Sequence, residues 1–407
     1  MKKLRDKYFS YYKEARFLKY KQFNLERDIL RIAYYIFEAE KTIKKNGSLD
    51  RLTILLSEDT FANTDLKKLK EILEELILLI LVEDVNVEFE KVNDVKGRVK
   101  KKCEFEKTKT ICLFSGGVDS YAGIKIAEKK YEDMLGVFVA HNDQGRIIKI
   151  INSLKKEIKT PIKTIYAPPM EADGYSQFRG FLYVLSGGAY ANLTGADKIL
   201  VTECGPTMYQ PLFSPYDSIT YTTHPYVMKA AKDVLEIMLK RKIDIITPFE
   251  DLTKAEVIAN SGIKDFSATH SCITQRFGDH CGTCFGCVIK RIAESVANVK
   301  GVEYNKDVFD LDSDRDNIIN ILGFSEKIIF EKDRMSGFQR EKIDEFEKWD
   351  LFTRYALDNL AGLMLIAPKN NDLVERFISV DVLPSIKIRI EEVKANKHKP
   401  NFDNKVE

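Results

Sequence analysis

Three things are scarce in this chain, and each shortage narrows its function. Net charge is formally +2 over 407 residues, so no overall field draws the protein to DNA, RNA or a membrane. Long apolar runs are missing too; the longest, Leu76 to Val82, is far too short to span a bilayer. No signal peptide opens the chain, because Met1 to Lys7 lead into charged and aromatic residues, and a cytoplasmic location is expected. There the seven cysteines need a purpose other than disulfides. The tail from about Asp307 to Lys394 also lacks repeats and low-complexity tracts. What remains is a globular composition, 44% hydrophobic and 31% charged, long enough for two or three domains with cores of their own.

The most informative stretch runs from Thr110 to Ser120. Thr110 to Phe114 are β-branched and apolar, and Ser115, Gly116, Gly117, Val118, Asp119 and Ser120 then lead into an amphipathic run, the pattern of strand, glycine loop and helix. Gly116 and Gly117 carry no Cβ and tolerate positive φ, so the backbone can close round an anion at the helix N-terminus. No Lys follows at Walker A spacing. Ser-Gly-Gly-Xaa-Asp-Ser instead resembles the PP-loop of N-type ATP pyrophosphatases, which split ATP into AMP and pyrophosphate. That resemblance places adenine against the end of the second core strand, Phe138 to His141, with Val139 and His141 as contacts. His141 is itself read as a polar strand end.

Strands and helices alternate beyond the loop as in a parallel α/β sheet. Strands are expected at Leu135–His141, Ile162–Tyr166, Lys198–Glu203 and Asp244–Pro248, with helices at Gln144–Ile158, Ser176–Leu193 and Pro225–Arg241. Ligands of such sheets sit beyond the carboxyl ends of strands. The segments to inspect are therefore Ser115–Ser120, His141–Gln144, Pro168–Asp173 and Glu203–Pro206. Cys204 lacks an assigned charged or His partner and reads as a small buried thiol. The aromatic loop from Gly205 to Pro225 reads as a lid over a planar substrate. Thr253 and Glu256 form a capping box, which puts Lys254 on the first turn of a helix at a strand end.

Before the core, Phe23 to Val92 read as a small α+β unit beginning with a short strand near Phe23, and the basic segment Asn93–Lys102 reads as a linker. The basic and aromatic arm of residues 1 to 22 is taken as a solvated helix face. Helices are expected in the tail at Lys342–Ile366 and Leu373–Val380. Asp310–Asp316 lack an EF-hand pattern and read as a helix entry. Asn396–Glu407 are expected to be a loose end. The resulting domains are 1–102, 103–300 and 301–407.

Cys272, Cys281, Cys284 and Cys287 give two overlapping Cys-Xaa-Xaa-Cys steps plus one distant Cys, with Gly282 and Gly286 allowing tight turns. Tetrahedral Zn²⁺ is the expected occupant, ahead of an iron–sulfur cluster or a redox pair, and four protein ligands make it structural. His270 and His280 are read as neighbours of the site.

With the glycine loop, Arg179 before a helix, the Pro248–Val257 segment containing Lys254, and Arg291 after the cysteines, the chain resembles the 7-cyano-7-deazaguanine synthase family, QueC-like PP-loop enzymes, over about Thr110 to Val299. The resemblance implies a parallel α/β core with a structural zinc loop. It also implies ATP-dependent, AMP-forming activation of a deazaguanine carboxylate. Backbone N–H groups from Gly116 to Ser120 would hold pyrophosphate, Asp119 would bind Mg²⁺, Lys254 and Arg179 would neutralise phosphate charge, and Ser115 and Ser120 would complete the catalytic set. Thr202–Pro206 depart from the family's asparagine-containing strand end, and long segments flank the core. That layout resembles QueC-like proteins of antiphage defence operons, for some of which the implied acceptor is the amine of a partner protein. Ammonia, as in biosynthetic relatives, and a non-catalytic ATP-binding scaffold are the alternatives.

Overall fold

Period-two and helical patterning resolve into alternating strands and helices in the computed structural model, which describes residues 21–92, 105–141, 151–167, 176–210, 222–274, 280–309, 316–331, 344, 347–367, 378 and 381–406. A 3-10 turn, Lys21–Phe23, opens the described chain where a strand was expected. Phe23 still packs inward, edge-on to Phe105 at 5.9 Å between ring centroids. It leads directly into α1 (Asn24–Asn46), which starts without a side-chain cap, so tertiary packing overrides the local apolar pattern. Then come β1 (Arg51–Ser57), α2 (Glu58–Asn63), α3 (Leu66–Leu81) and β2 (Asn86–Val92). β1 and β2 pair in parallel from Arg51 opposite Asn86 to Ser57 opposite Val92.

The core follows as β3 (Thr110–Leu113), α4 (Val118–Ala127), β4 (Met134–His141), β5 (Ile162–Ala167), α5 (Arg179–Thr194), β6 (Lys198–Leu200), α6 (Gly205–Tyr209), α7 (Pro225–Leu239), β7 (Asp244–Ile246), α8 (Lys254–Ser261) and α9 (Phe285–Val296). Among the described residues five strands form one parallel sheet in the order β5-β4-β3-β6-β7. Side chains alternate between its faces. Ile111, Val137, Val139 and Ile199 meet α5, α7 and the apolar stripe of α1. Cys112, Phe138, Ala140 and Leu200 meet α4, α8 and α9. α1 is bound to the core by polar contacts as well: Ser176 Oγ donates to Glu40 at 2.6 Å and Asn192 to Glu26 at 2.7 Å. The chain leaves β3 towards β4 and returns to β3's other side at β6, so the crevice between those two strand ends is the switch point where ligands of such sheets bind.

α10 (Asp316–Phe330), α11 (Trp349–Ile366) and α12 (Leu383–Lys394) complete the described helices, with α11 packed on α9 and α10, and α12 on α11 and α8. No helix among the described residues is long and apolar enough to cross a membrane. The expected loose end is corrected for the described residues 396–406. Lys405 bridges antiparallel to Ile246, Val406 N–H donates to Ile245 at 2.9 Å, and Phe402 packs beside Phe249 and Tyr131. The outer edge of β7 offers unpaired backbone groups, and this segment covers them. Of the expected arm 1–22 the first twenty residues, the whole linker Asn93–Lys102, Leu373–Val380 except Ile378, and Asp310–Arg315 lie outside the described residues.

Candidate functional site

Gly116 sits at φ +80°, a conformation open to glycine at little cost, and turns the chain off the end of β3. Ser115 and Ser120 close the loop, their hydroxyls 3.0 Å apart, and Ser120 Oγ donates to Gly117 O at 3.1 Å. Among the described residues no side chain caps the start of α4. Its first N–H groups, which a helix leaves unpaired, are free to face an anion. Val118 is buried beneath the loop and Ser115 is exposed at its lip. The loop therefore fits a nucleotide's phosphates.

Lys254 begins α8 because Thr253 and Glu256 do form the capping box. Its ammonium donates to Asp119 Oδ2 on the facing first turn of α4. Burial works against the lysine's charge, but Asp119, Cys204 and Glu203 outweigh it and raise its pKa. Glu203, just beyond β6, joins the same cluster: burial and the Asp119 carboxylate push it up to about 7, while Lys254 and Arg179 pull the other way. Arg179 is the first residue of α5, and its charge acts on Glu203 to lower that carboxyl's pKa. Asp119 Oδ1 is buried and accepts no hydrogen bond among the described residues, an orphaned oxygen that suits a cation.

A narrow crevice of about 40 Å³ opens at the same strand ends. Val137 and Val139 of β4, Tyr183 and Val184 of α5, Ser115, Ser120 and Glu203 are among its walls. His141 ends β4 opposite Ala167. Cys204 is buried, and burial pushes its thiol up to about 12, so it is no nucleophile at neutral pH. Its Sγ lies 3.2 Å from Thr207 Oγ1. Of the aromatic loop, Gly205–Tyr209 are helical and 211–221 lie outside the described residues, as do Asn142–Gln144 and Pro168–Asp173.

The four cysteines converge. All four are buried, and their sulfurs lie within 4.8 Å of one another, with Cys281–Cys287 at 3.9 Å and Cys272–Cys284 at 3.8 Å. A tetrahedron with Zn–S bonds of about 2.3 Å has edges of about 3.8 Å. The cluster therefore fits zinc. Gly282, at φ +88°, makes the turn, and a Cβ there would lie 1.9 Å from Lys306 O. The loop also supports the nucleotide side: His270 N–H donates to Gly116 O at 3.2 Å, and the buried Lys290 ammonium to Thr269 O at 3.0 Å. His270 and His280 pack ring to ring beside the metal seat at 4.9 Å. Arg291 forks onto Asp307, with both contacts at 3.0 Å.

Residues 174–295 match the family described as queuosine biosynthesis protein QueC. The chain carries a QueC-like domain. That domain spans α5 to α9, and so holds Arg179, Glu203, Lys254 and all four cysteines. The glycine loop lies before the matched segment, and the fold brings it against the QueC-like domain through Asp119–Lys254 and His270–Gly116. Ser115, Ser120 and Val139 line the crevice, Asp119 next to Ser120 pairs with Lys254, and Arg179 precedes Gly180 of the crevice wall. Glu203 is the member that sequence reasoning missed. Its signal was an acidic residue directly after a strand at the switch point, which the neighbouring Cys204 drew attention from.

Proposed function

We propose that the protein is an ATP-dependent, AMP-forming ligase that activates the carboxylate of a 7-deazaguanine-type heterocycle and passes the acyl group to an amine. The observation that carries this reading is the Lys254–Asp119 pair facing an uncapped helix start at the sheet's switch point. The QueC match supplies the substrate class.

A substrate carboxylate oxygen attacks the α-phosphorus of ATP and the bond to the β-phosphate bridge breaks. Pyrophosphate leaves onto the backbone N–H groups from Gly116 to Ser120, while Lys254 and Arg179 offset the charge that builds on the phosphates. Asp119 would hold a Mg²⁺ ion, which when bound would supply positive charge against the phosphates. An amine then attacks the acyl adenylate, AMP departs, and the amine gives up one proton as the amide forms. The four cysteines would hold a zinc ion in a structural role, and the chain beside them meets the loop where His270 N–H donates to Gly116 O.

The acceptor we favour is an amine of a partner protein, in a cytoplasmic antiphage system. The support is the resemblance of the long flanking segments to QueC-like defence proteins. With ammonia instead, the product is the free amide, or a nitrile after a second ATP.

The test is incubation with ATP, Mg²⁺ and 7-carboxy-7-deazaguanine, with AMP and pyrophosphate measured. Ser115→Ala combined with Asp119→Ala abolishes AMP formation and leaves zinc content unchanged. Absence of AMP with every deazaguanine and every amine supplied sinks the enzymatic reading in favour of an ATP-binding scaffold. Intact mass of a co-purified partner distinguishes a protein acceptor, which gains the heterocycle's acyl mass, from ammonia.

A further inference from the structure

β6 ends at Leu200, and the next four residues cross the head of the sheet between the glycine loop and α6. There Glu203 shares the crevice wall with Ser115 and Ser120, beside the first turn of α4 that carries Asp119, and the two carboxylates feel each other's charge. Two such carboxylates repel unless a proton or a cation lies between them. Lys254 answers only part of this, since its ammonium is committed to Asp119 Oδ2. Asp119 is 5% exposed, and its Oδ1 takes no hydrogen bond among the described residues. A buried carboxylate oxygen left in that state is costly, and ligand binding is one way the cost is recovered.

Glu203 also lines the crevice beside Ser115 and Ser120. A carboxylate at the rim of an anion seat repels a triphosphate, and Lys254 with Arg179 only balance the two acids that are already there. A divalent ion held by both acids reverses that repulsion. Mg²⁺ commonly takes one or two carboxylates, substrate phosphate oxygens and waters.

We propose that Asp119 and Glu203 together form the seat of the divalent cation that bridges to the nucleotide's phosphates, with Glu203 as the second protein ligand. The inference rests on the ATP reading above and adds to it the residue that sets metal affinity. Its position follows from topology, because β3 and β6 are neighbours in the sheet and deliver one acid each to the same gap.

Mn²⁺ is the probe, since it accepts the same oxygen ligands and a four-thiolate site prefers softer metals. Its binding is followed by electron paramagnetic resonance, with the ATP analogue that carries a methylene between α- and β-phosphorus and so cannot be cleaved. Wild-type protein binds Mn²⁺ in the presence of the analogue. Glu203→Gln weakens Mn²⁺ at least tenfold, Glu203→Asp falls between, and analogue affinity without metal stays within twofold or tightens. Mn²⁺ affinity within twofold of wild type in Glu203→Gln, with the analogue still bound, overturns the two-acid seat and leaves the ATP site standing. Failure of wild-type protein to bind the analogue with or without Mn²⁺ overturns the ATP reading and this inference together.

Discussion

Glu294 is 3% exposed on α9, where burial pushes its carboxyl up to about 7 against the opposing pull of Lys290, 3.6 Å away. The sign follows from proton counting. Between about pH 4.5 and pH 7 the folded protein keeps a proton that the unfolded chain has lost, so stability falls as pH rises through that window and levels off above it. The full effect is of order 3 kcal/mol. Glu294→Gln removes this part of the slope, which melting temperatures measured from pH 4.5 to 8 will show as a flatter profile; an unchanged profile would contradict it. Neither Glu294 nor Glu203 announces itself in the sequence, because an acid's pKa depends on what the fold buries around it. Ser115, Gly116 and Asp119 were legible, since their chemistry is carried by consecutive residues.

α8 shows the same division at the scale of an element. Its capping box is local and readable, yet Glu256 has further partners that no local pattern reveals. Arg354 from α11 contacts Glu256 Oε1 at 2.6 Å, and Arg389 from α12 contacts the same oxygen at 2.8 Å. Arg389 also contacts Asp358 at 2.7 Å, and Asp358 accepts from Thr253 Oγ1 at 2.5 Å. The four charged groups are buried, and they anchor the turn that carries Lys254. Removing one member leaves buried charge uncompensated, at about 3–5 kcal/mol. Arg389→Met is therefore expected to lose about 3 kcal/mol in urea unfolding and to weaken nucleotide binding; Arg389→Lys, lacking the planar fork, restores little. A variant as stable as wild type would show that the network is dispensable. Strand positions were largely foreseen because β-branched runs bounded by turns are local signals. The pairing of residues 396–406 with β7 was not, since an edge strand's partner can come from anywhere in the chain.

Across the whole molecule, metal seat, loop and helices meet at a few backbone contacts. Because His270 N–H holds Gly116 O, loss of zinc is expected to loosen the phosphate seat without touching any residue that faces ATP. Cys287→Ser should lower zinc content and weaken nucleotide affinity at least tenfold, as read by calorimetry. Zinc-free protein with unchanged nucleotide affinity would show that the two sites are independent. The segment that covers β7 sets a timetable as well. Lys405 closes on Asp244 across 161 residues of chain, so during synthesis at 5–20 residues per second the edge of β7 stays bare for roughly 10–30 s. Throughout that interval a nascent chain presents an open strand to its neighbours on the same message. Slow translation or crowded ribosomes would thus favour edge-to-edge association, which a native protein with its tail in place resists.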